Sequence, residues 1–200
     1  MNFNMIHMYK KGNDHTLILL HGTGGNEQDM IPLADMVSRE SSILSIRGNV
    51  LEHGMPRFFK RIAMGVFDME SLKQETEHLY SFIQKASLDY QFDLKKATII
   101  GYSNGANIAI SMLFTYDNPV GQAILLRPMV PTENILSKQL NETSVIILTG
   151  KYDTNVPPEH GEILKKHFDH LQANTLWVEL NATHRLTEED IKIIKEKIKK

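Results

Sequence analysis

Short apolar runs alternate with longer segments of helical periodicity along this 200-residue chain. The apolar runs are rich in Ile, Leu and Val, and they predict strands near Phe3–Tyr9, Thr16–Leu20, Ser42–Ile46, Ala97–Tyr102, Gly121–Leu126, Ser144–Thr149 and Thr175–Leu180. The periodic segments predict helices near Asp29–Arg39, Met69–Leu88, Asn104–Thr115, Pro158–Gln172 and Glu188–Lys199. Strands that alternate with helices usually form a mainly parallel sheet with helices on its faces. The pattern therefore predicts an α/β fold.

Details of the pattern place some of these elements within the sheet. The first strand alternates apolar and polar residues, as expected of an edge strand, whereas the strands starting at 97 and 144 are apolar throughout and should be buried on both faces. Thr187 and Asp190 predict a capping box at the start of the last helix, and Ile191, Ile194 and Ile198 form one apolar stripe along it.

One connection between the predicted elements has neither the periodicity of a helix nor that of a strand. Residues 48 to 68, "GNVLEHGMPRFFKRIAMGVFD", are too irregular for a helix or a strand, and a structureless loop longer than ~12 to 15 residues needs a reason. The segment carries Met55, Phe58, Phe59, Met64 and Phe67, so it should fold over a pocket or over the core. A packed Ω-loop is one interpretation. The other, which we adopt as a prediction, is that Met55, Phe58 and Phe59 line a substrate site.

Composition narrows the class of protein. The net charge of −2 comes from mixed acidic and basic residues, so neither nucleic acid nor an anionic membrane surface is an expected partner. The N-terminal residues lack the apolar core of a signal peptide, and no run reaches the ~18 apolar residues of a membrane span. The absence of cysteine fits a reducing compartment. We expect one cytoplasmic domain over residues 1–200, and a homodimer is compatible with the sequence.

The stretch "ATIIGYSNGANIAISMLF" predicts the reactive group. It places Gly101-Tyr102-Ser103-Asn104-Gly105 between an apolar strand and a helix, which is G-x-S-x-G in the context of a nucleophile elbow. The sharp turn requires little bulk two residues before and after the serine, and it exposes the Ser103 hydroxyl above the sheet. A glycine-flanked N-cap serine is the alternative.

A serine nucleophile requires a base and a group that orients the base. Asp153 follows the strand ending at Thr149, in "GKYDTNVP", and His184 follows the strand ending at Leu180, in "NATHRLT". Alone, each would be interpreted as a loop residue. Catalytic groups in parallel sheets lie beyond the carboxyl ends of strands, and the order Ser, Asp, His is that of α/β-hydrolases. We predict that Ser103, Asp153 and His184 are the catalytic residues.

The early glycine-rich stretch "HGTGGNEQDM" fits the same chemistry. A tetrahedral oxyanion needs two backbone N–H donors, one after the nucleophile and one from an early strand-to-helix loop. We predict Thr23 and Asn104 as those donors. A dinucleotide-binding G-x-G-x-x-G motif would need glycine at position 27, where Glu27 stands, and no P-loop motif is present.

Together these residues resemble the carboxylesterase/phospholipase family of α/β-hydrolases, which contains bacterial carboxylesterases and acyl-protein thioesterases. The resemblance covers most of the chain through "LLHGTGGNE", "RGNVLEHGMPRFFKR", "GVFDMESLKQETEHLYSFI", "GYSNGANIA" and "GKYDTNVP". The second and third stretches look closest to small bacterial hydrolases associated with quinone and hydroquinone stress. The resemblance implies the same triad. The family usually has glycine before the histidine, whereas this chain has Thr183, so the histidine loop can be set differently.

The remaining histidines predict no metal site. His160 and His167 share a helix side with apolar residues and are interpreted as packing residues, and His21 is expected to make a structural hydrogen bond. No HExxH or comparable ligand set occurs, and the proposed chemistry needs no cofactor.

The sequence thus predicts a serine hydrolase that cleaves carboxylic esters of short to medium acyl chain, without a separate cap domain. Only residues 127 to 143 separate two strands where hydrolases often insert a cap, so Met129, Val130 and Pro131 should help to roof a shallow site. Thioesters and quinone-derived ring-cleavage products are alternative substrates for the same triad. A catalytically silent ligand-binding module on this fold is the alternative from another class.

Overall fold

The computed structural model describes residues 4–63 and 65–198. It contains strands β1 (His7–Lys10), β2 (Thr16–Leu20), β3 (Ser42–Ile46), β4 (Val50–Glu52), β5 (Met55–Arg57), β6 (Arg61–Ala63), β7 (Val66–Phe67), β8 (Ala97–Tyr102), β9 (Gln122–Leu126), β10 (Ser144–Gly150) and β11 (Asn174–Leu180). The helices are α1 (Ile31–Ser38), α2 (Met69–Asp89), α3 (Asn104–Thr115), α4 (His160–His170) and α5 (Glu188–Lys197), with a 3-10 turn at Leu94–Lys96.

Seven strands form the central sheet in the order β1-β3-β2-β8-β9-β10-β11. All neighbouring pairs are parallel except β1 and β3, which are antiparallel. The predicted α/β class is confirmed, and so is the edge position of the first strand. The predicted strand start at Phe3, the helix end at Lys199 and Met64 of the 48–68 segment lie outside the described residues.

Helices cover both faces of the sheet and complete two apolar clusters. The larger cluster joins α2, α3 and α4 to one face through residues such as Leu79, Leu113 and Leu164. The smaller joins α1 and α5 to the other face through Leu33 and Ile194. Helix α3 is buried at every position from 104 to 114 because it lies between the sheet and α2, which explains its nearly continuous apolar sequence. The predicted capping box at Thr187 and Asp190 is present.

The prediction for residues 48 to 68 is wrong in one respect. The segment is not an irregular loop but contains two short hairpins, β4–β5 and β6–β7. A two-residue turn with positive φ at His53 and Gly54 connects β4 to β5, which is the geometry of the tight turns that suit the twist of a hairpin. Strands of two or three residues are too short to show a readable alternation, so the sequence pattern did not reveal them.

Consecutive parallel strands end at one edge of the sheet. The loops that follow β2, β8, β9, β10 and β11 all begin there, and they carry Thr23, Ser103, Arg127, Asp153 and His184 respectively. Residues 127 to 143, after β9, contain no helix or strand among the described residues. The carboxyl edge of the sheet therefore gathers most of the predicted chemistry.

Candidate active site

Ser103 sits in a strained turn between β8 and α3. Its φ of 52° and ψ of −112° lie outside the regions that most residues adopt, while its N–H donates to Leu126 O at 2.9 Å. A Cβ at Gly105 would come within 2.2 Å of Leu20 O, and one at Gly101 within 2.6 Å of Gly105 O. Both glycines are thus required for close backbone approach. The turn has the geometry of a nucleophile elbow.

Ser103, His184 and Asp153 form a continuous chain of hydrogen bonds. His184 Nε2 lies 3.0 Å from Ser103 Oγ, and His184 Nδ1 lies 2.8 Å from Asp153 Oδ2. Asp153 Oδ1 accepts from the N–H groups of Asn155 and Val156 at 2.8 and 3.3 Å, and its side chain is 2% exposed. Because the carboxylate is fixed at both oxygens, it orients the imidazole with Nε2 towards the serine.

Side chains from other parts of the chain hold the backbone of the His184 loop. Arg127 Nε donates to Thr183 O at 2.9 Å and Nη2 donates to Arg185 O at 3.0 Å, while the Tyr102 hydroxyl donates to His184 O at 3.1 Å. Burial raises the pKa of Tyr102, so its hydroxyl keeps the proton that it donates. Three consecutive carbonyls are fixed in this way. We call Arg127 and Tyr102 the histidine-loop clamp.

The His184 loop accommodates Thr183 at the position where the family usually has glycine. Thr183 is not among the non-glycine residues with positive φ, so a side chain at this position costs no backbone strain. Its carbonyl also passes close to Gly150, where a Cβ would approach Thr183 O to 2.5 Å. The close approach that needs a glycine is therefore supplied by Gly150, on the facing strand end.

A buried ion pair anchors the clamp. Arg127 Nη1 and Nη2 donate to Asp190 Oδ1 and Oδ2, each at 2.8 Å, and both side chains are 0% exposed. Asp190 Oδ2 also accepts from the N–H and hydroxyl of Thr187 at 2.7 and 2.9 Å, which caps helix α5. Arg127 itself has a positive φ of 53°. One carboxylate thus connects the helix start to the loop that carries His184.

The glycine-rich loop after β2 lies beside Ser103. Thr23 and Asn104 both line the cavity that contains the Ser103 and His184 side chains. Asn104 is the first residue of α3, where an N–H has no partner within the helix. A Cβ at Gly22 would come within 2.9 Å of the Tyr102 ring, and Gly24 has a φ of +82°. The loop can therefore present backbone donors close to the serine.

The first hairpin supports this loop. Gly24 N–H donates to Pro56 O at 2.9 Å, and Arg57 Nη1 donates to Thr23 Oγ1 at 2.7 Å. His21 is buried and bridges Gly22 O and Gly48 N–H, at 2.6 and 3.0 Å. Burial lowers the pKa of His21, which favours the neutral ring whose Nε2 accepts from Gly48. The expected structural hydrogen bond of His21 is present.

The cavity beside Ser103 has a volume of about 270 Å³. Its wall includes one of the six residues predicted to line the substrate site, Met129, whose N–H is fixed by Asn107 Oδ1 at 2.8 Å. The complete lining is Thr23, Arg57, Arg61, Gly65, Phe67, Tyr102, Ser103, Asn104, Asn107, Met129, Asn155, Val156 and His184.

The other five predicted lining residues lie elsewhere. Phe58 and Phe59 are 1% and 0% exposed and belong to the larger core cluster, because the hairpins turn their backbone inward. Met55 is exposed near Gly24, beside the glycine-rich loop after β2 and outside the cavity wall. Val130 packs against the core, held by its N–H bond to His160 Nδ1, and Pro131 is buried.

Several lining residues were not predicted, above all two arginines in the middle of the 48–68 segment. Arg57 and Arg61 lie four positions apart in "MPRFFKR", and the apolar neighbours drew attention away from them. The available signal was three cations, Arg57, Lys60 and Arg61, within five residues that also contain two phenylalanines. Asn107, which is buried in the first turn of α3, carries no comparable signal because its neighbours are core residues.

The histidines assigned to packing are half-buried on α4. Burial lowers the pKa of His160, whose Nδ1 accepts from Val130 N–H at 2.9 Å. His167 contacts the Phe114 ring edge-on. Among residues 4–63 and 65–198, no group of three or more His, Cys, Asp or Glu side chains could hold a metal ion. Nor does any helix in these ranges have the length and apolarity needed to cross a membrane.

Known proteins share both the sequence and the fold. A crystal structure of a Bacillus cereus carboxylesterase is 45% identical, with a TM-score of 0.93 over 98% of this chain and 93% of that one. A Bacillus subtilis (strain 168) protein named "Putative hydrolase MhqD" is 42% identical over 187 residues, which are 93% of this chain and 94% of that protein. A Mesorhizobium loti carboxylesterase is 27% identical, with a TM-score of 0.88 over 93% of this chain and 88% of that one.

The family model described as Phospholipase/Carboxylesterase matches residues 1–200, the whole chain. The resemblance drawn from the glycine loop, the elbow and the later motifs is thereby confirmed. The chain belongs to the phospholipase/carboxylesterase family of α/β-hydrolases.

Proposed function

We propose that this hydrolase cleaves carboxylic esters through an acyl-enzyme formed on Ser103. The observation that carries the proposal is the hydrogen-bonded chain from Ser103 Oγ through His184 to Asp153, which opens into the cavity. A serine hydroxyl becomes an effective nucleophile when an oriented imidazole can take its proton. In this protein His184 Nε2 lies 3.0 Å from Ser103 Oγ, and the Asp153 carboxylate behind the imidazole is almost fully buried.

The reaction follows from these positions. His184 Nε2 removes the proton as Ser103 Oγ bonds to the ester carbonyl carbon, and the negative charge moves to the carbonyl oxygen. Backbone N–H groups of Thr23 and Asn104 stabilise that oxygen, a contribution worth several kcal/mol in related sites, roughly 3 to 4 for one donor. Collapse breaks the bond to the alcohol, which takes the proton from His184. A water molecule, deprotonated by His184, then attacks the acyl-enzyme carbonyl, and the carboxylic acid leaves as Ser103 regains its proton.

The cavity limits the size of the substrate. Its volume of about 270 Å³ is below the ~300 to 1,000 Å³ of sites that enclose drug-sized ligands. Short to medium acyl chains fit this space better than long ones. Thioesters undergo the same acyl transfer, as do quinone-derived ring-cleavage products with a reactive carbonyl, so both remain alternative substrates that a substrate panel separates.

Labelling with a fluorophosphonate tests the proposal. The probe phosphonylates a serine that has an oriented base, so wild-type protein should gain one adduct mass and Ser103→Ala should gain none. Ser87→Ala, which removes a hydroxyl from the outer surface of α2, is the matched control and should label like wild type. Adduct formation in Ser103→Ala would place the nucleophile elsewhere. An unlabelled wild-type protein would favour the silent ligand-binding module.

A further inference from the structure

Two arginines on the hairpin segment face the same cavity as Ser103. Arg57 ends β5 and Arg61 begins β6, and both line the cavity, whereas the described lining residues include no Asp or Glu. The nearest acids lie behind the wall: Glu52 has a side chain 14% exposed, and Asp153 is 2% exposed and hydrogen-bonded to His184. The surface that a substrate meets therefore presents cations.

Arg57 has a donor left over after its structural contacts. Nε donates to Phe59 O at 3.2 Å and Nη1 donates to Thr23 Oγ1 at 2.7 Å. Nη2 makes no hydrogen bond to any residue that the structure describes, and the nearest approach of the Glu52 carboxylate is to Nε, at 3.6 Å. The side chain is only 3% exposed. Because Arg57 lines the cavity, its Nη2 donor is available to an acceptor on a ligand there.

Glu52 offsets only one of the two positive charges. It accepts from Arg61 Nε at 2.8 Å and from Arg61 N–H at 3.2 Å, and it lies 3.6 Å from Arg57. The two arginines thus share the Glu52 carboxylate. Arg61 is 24% exposed and lines the cavity, so a ligand in the cavity can contact its guanidinium.

We infer that the cavity accepts esters whose non-reacting end carries a carboxylate, which binds between Arg57 and Arg61. The inference rests on the proposed function, because the same cavity must hold the scissile ester at Ser103. A carboxylate has two acceptor oxygens and suits the forked donors of guanidinium groups. A neutral amide in the same place offers Arg57 one acceptor oxygen but neither a negative charge nor a second acceptor. The arginines thereby select hemiesters of small dicarboxylic acids over neutral esters of equal size.

A pair of nearly isosteric substrates isolates the charge. Monomethyl glutarate and methyl 4-carbamoylbutanoate differ only in that a carboxylate oxygen is replaced by an amide nitrogen, and hydrolysis of both can be followed by acid release at constant pH. We expect wild-type kcat/KM to be about 10- to 100-fold higher for the acid, the range of one or two charge-assisted hydrogen bonds. Monomethyl succinate and adipate then locate the best distance between the two ends.

Two charge-matched variants assign the preference. Arg61→Gln should lower the acid-to-amide ratio at least tenfold, and Arg61→Lys should restore part of it. Lys60→Gln removes the same charge one residue away, from an exposed side chain that does not line the cavity, and should leave the ratio unchanged. If Arg61→Gln keeps the wild-type acid-to-amide ratio, the inference is wrong. It is also wrong if Lys60→Gln lowers the ratio as much as Arg61→Gln does, because the preference would then come from the overall charge of the protein.

The substrates also separate this inference from the proposed function. If wild-type protein hydrolyses acid and amide at equal kcat/KM while Ser103 reacts with fluorophosphonate, the carboxylate subsite is wrong and the serine hydrolase stands. If neither ester is hydrolysed and Ser103 does not react, both are wrong. A several-fold or greater preference for the acid that depends on Arg61 supports both together.

Discussion

Replacing Asp190 by asparagine would remove the carboxylate that pairs with the buried guanidinium of Arg127. The asparagine keeps the size of the side chain, so no cavity is created and the change is one of charge and hydrogen bonding. Both partners are 0% exposed and joined by two bonds of 2.8 Å. Breaking a buried pair from one side costs about 3–5 kcal/mol, because the remaining ion stays buried without its partner. The same change weakens the cap of α5 at Thr187.

Urea unfolding at neutral pH measures this loss. We expect Asp190→Asn to lower the free energy of unfolding by about 3–5 kcal/mol, a large part of the ~5–15 kcal/mol typical of a domain. Asp35→Asn is the matched control, because its pair with Lys10 is 3.4 Å long and both side chains are about half exposed. That control should lose less than about 1 kcal/mol. Equal losses in the two variants would refute the structural role assigned to the buried pair.

The same variant tests whether the clamp positions His184. Rates of phosphonylation are measured without denaturant and divided by the fraction of folded protein. We expect Asp190→Asn to react at least tenfold more slowly, because Arg127 no longer holds the carbonyls of Thr183 and Arg185 in place. Ile194→Ala, also in α5, should lose about 2–5 kcal/mol of stability through a cavity yet react at nearly the wild-type rate. Equal rates in both variants would show that the clamp does not position the base.

Three further predictions concern the base, the substrate and pH. Asp153→Asn should fold, since an amide oxygen can still accept from the N–H groups of Asn155 and Val156, but turnover should fall about 10³- to 10⁴-fold; near-wild-type turnover would contradict the triad. On p-nitrophenyl esters, kcat/KM should rise by up to about fourfold per CH₂ and then stop at medium chains, and Met129→Ala should move that peak; a steady rise to long chains would reveal a deep tunnel. Burial lowers the pKa of His15 from its usual 6.5, so the unfolded chain binds a proton at this histidine more readily than the folded chain does. The free energy of unfolding should therefore fall as the pH drops from about 7.5 to 5.5, and urea titrations of His15→Asn should show a flatter slope.

The proximity of Ser103, Asp153 and His184 could be predicted from sequence because the signals for it are local and ordered. A short window of sequence is enough to recognise each pattern: a strand followed by a glycine-flanked serine, and two later strands followed by Asp153 and His184. Parallel strands then bring their carboxyl ends to one edge whatever the loops do. The structure places these three side chains within hydrogen-bonding distance of one another. At Thr183, where the family usually has glycine, the backbone has no positive φ and the carbonyl accepts from Arg127 Nε.

The cavity wall could not be predicted in the same way. The apolar content of residues 48 to 68 indicates only that Phe58 and Phe59 are buried, and burial in the core and burial against a substrate have the same sequence signature. Hairpin strands of two or three residues decide which side chains turn inward. They direct the two phenylalanines to the core and leave Arg57 and Arg61 at the cavity.

By itself, then, the sequence determined the α/β architecture, the elbow and the order of Ser103, Asp153 and His184, because periodicity and turn chemistry act over a few residues. The tertiary structure alone decided the shape and charge of the cavity and the contacts that hold the His184 loop. Arg127 and Asp190 are separated by 63 residues, and Arg57 and Thr23 by 34. Such pairs form only when strands from distant parts of the chain meet in the sheet, so no local pattern predicts them.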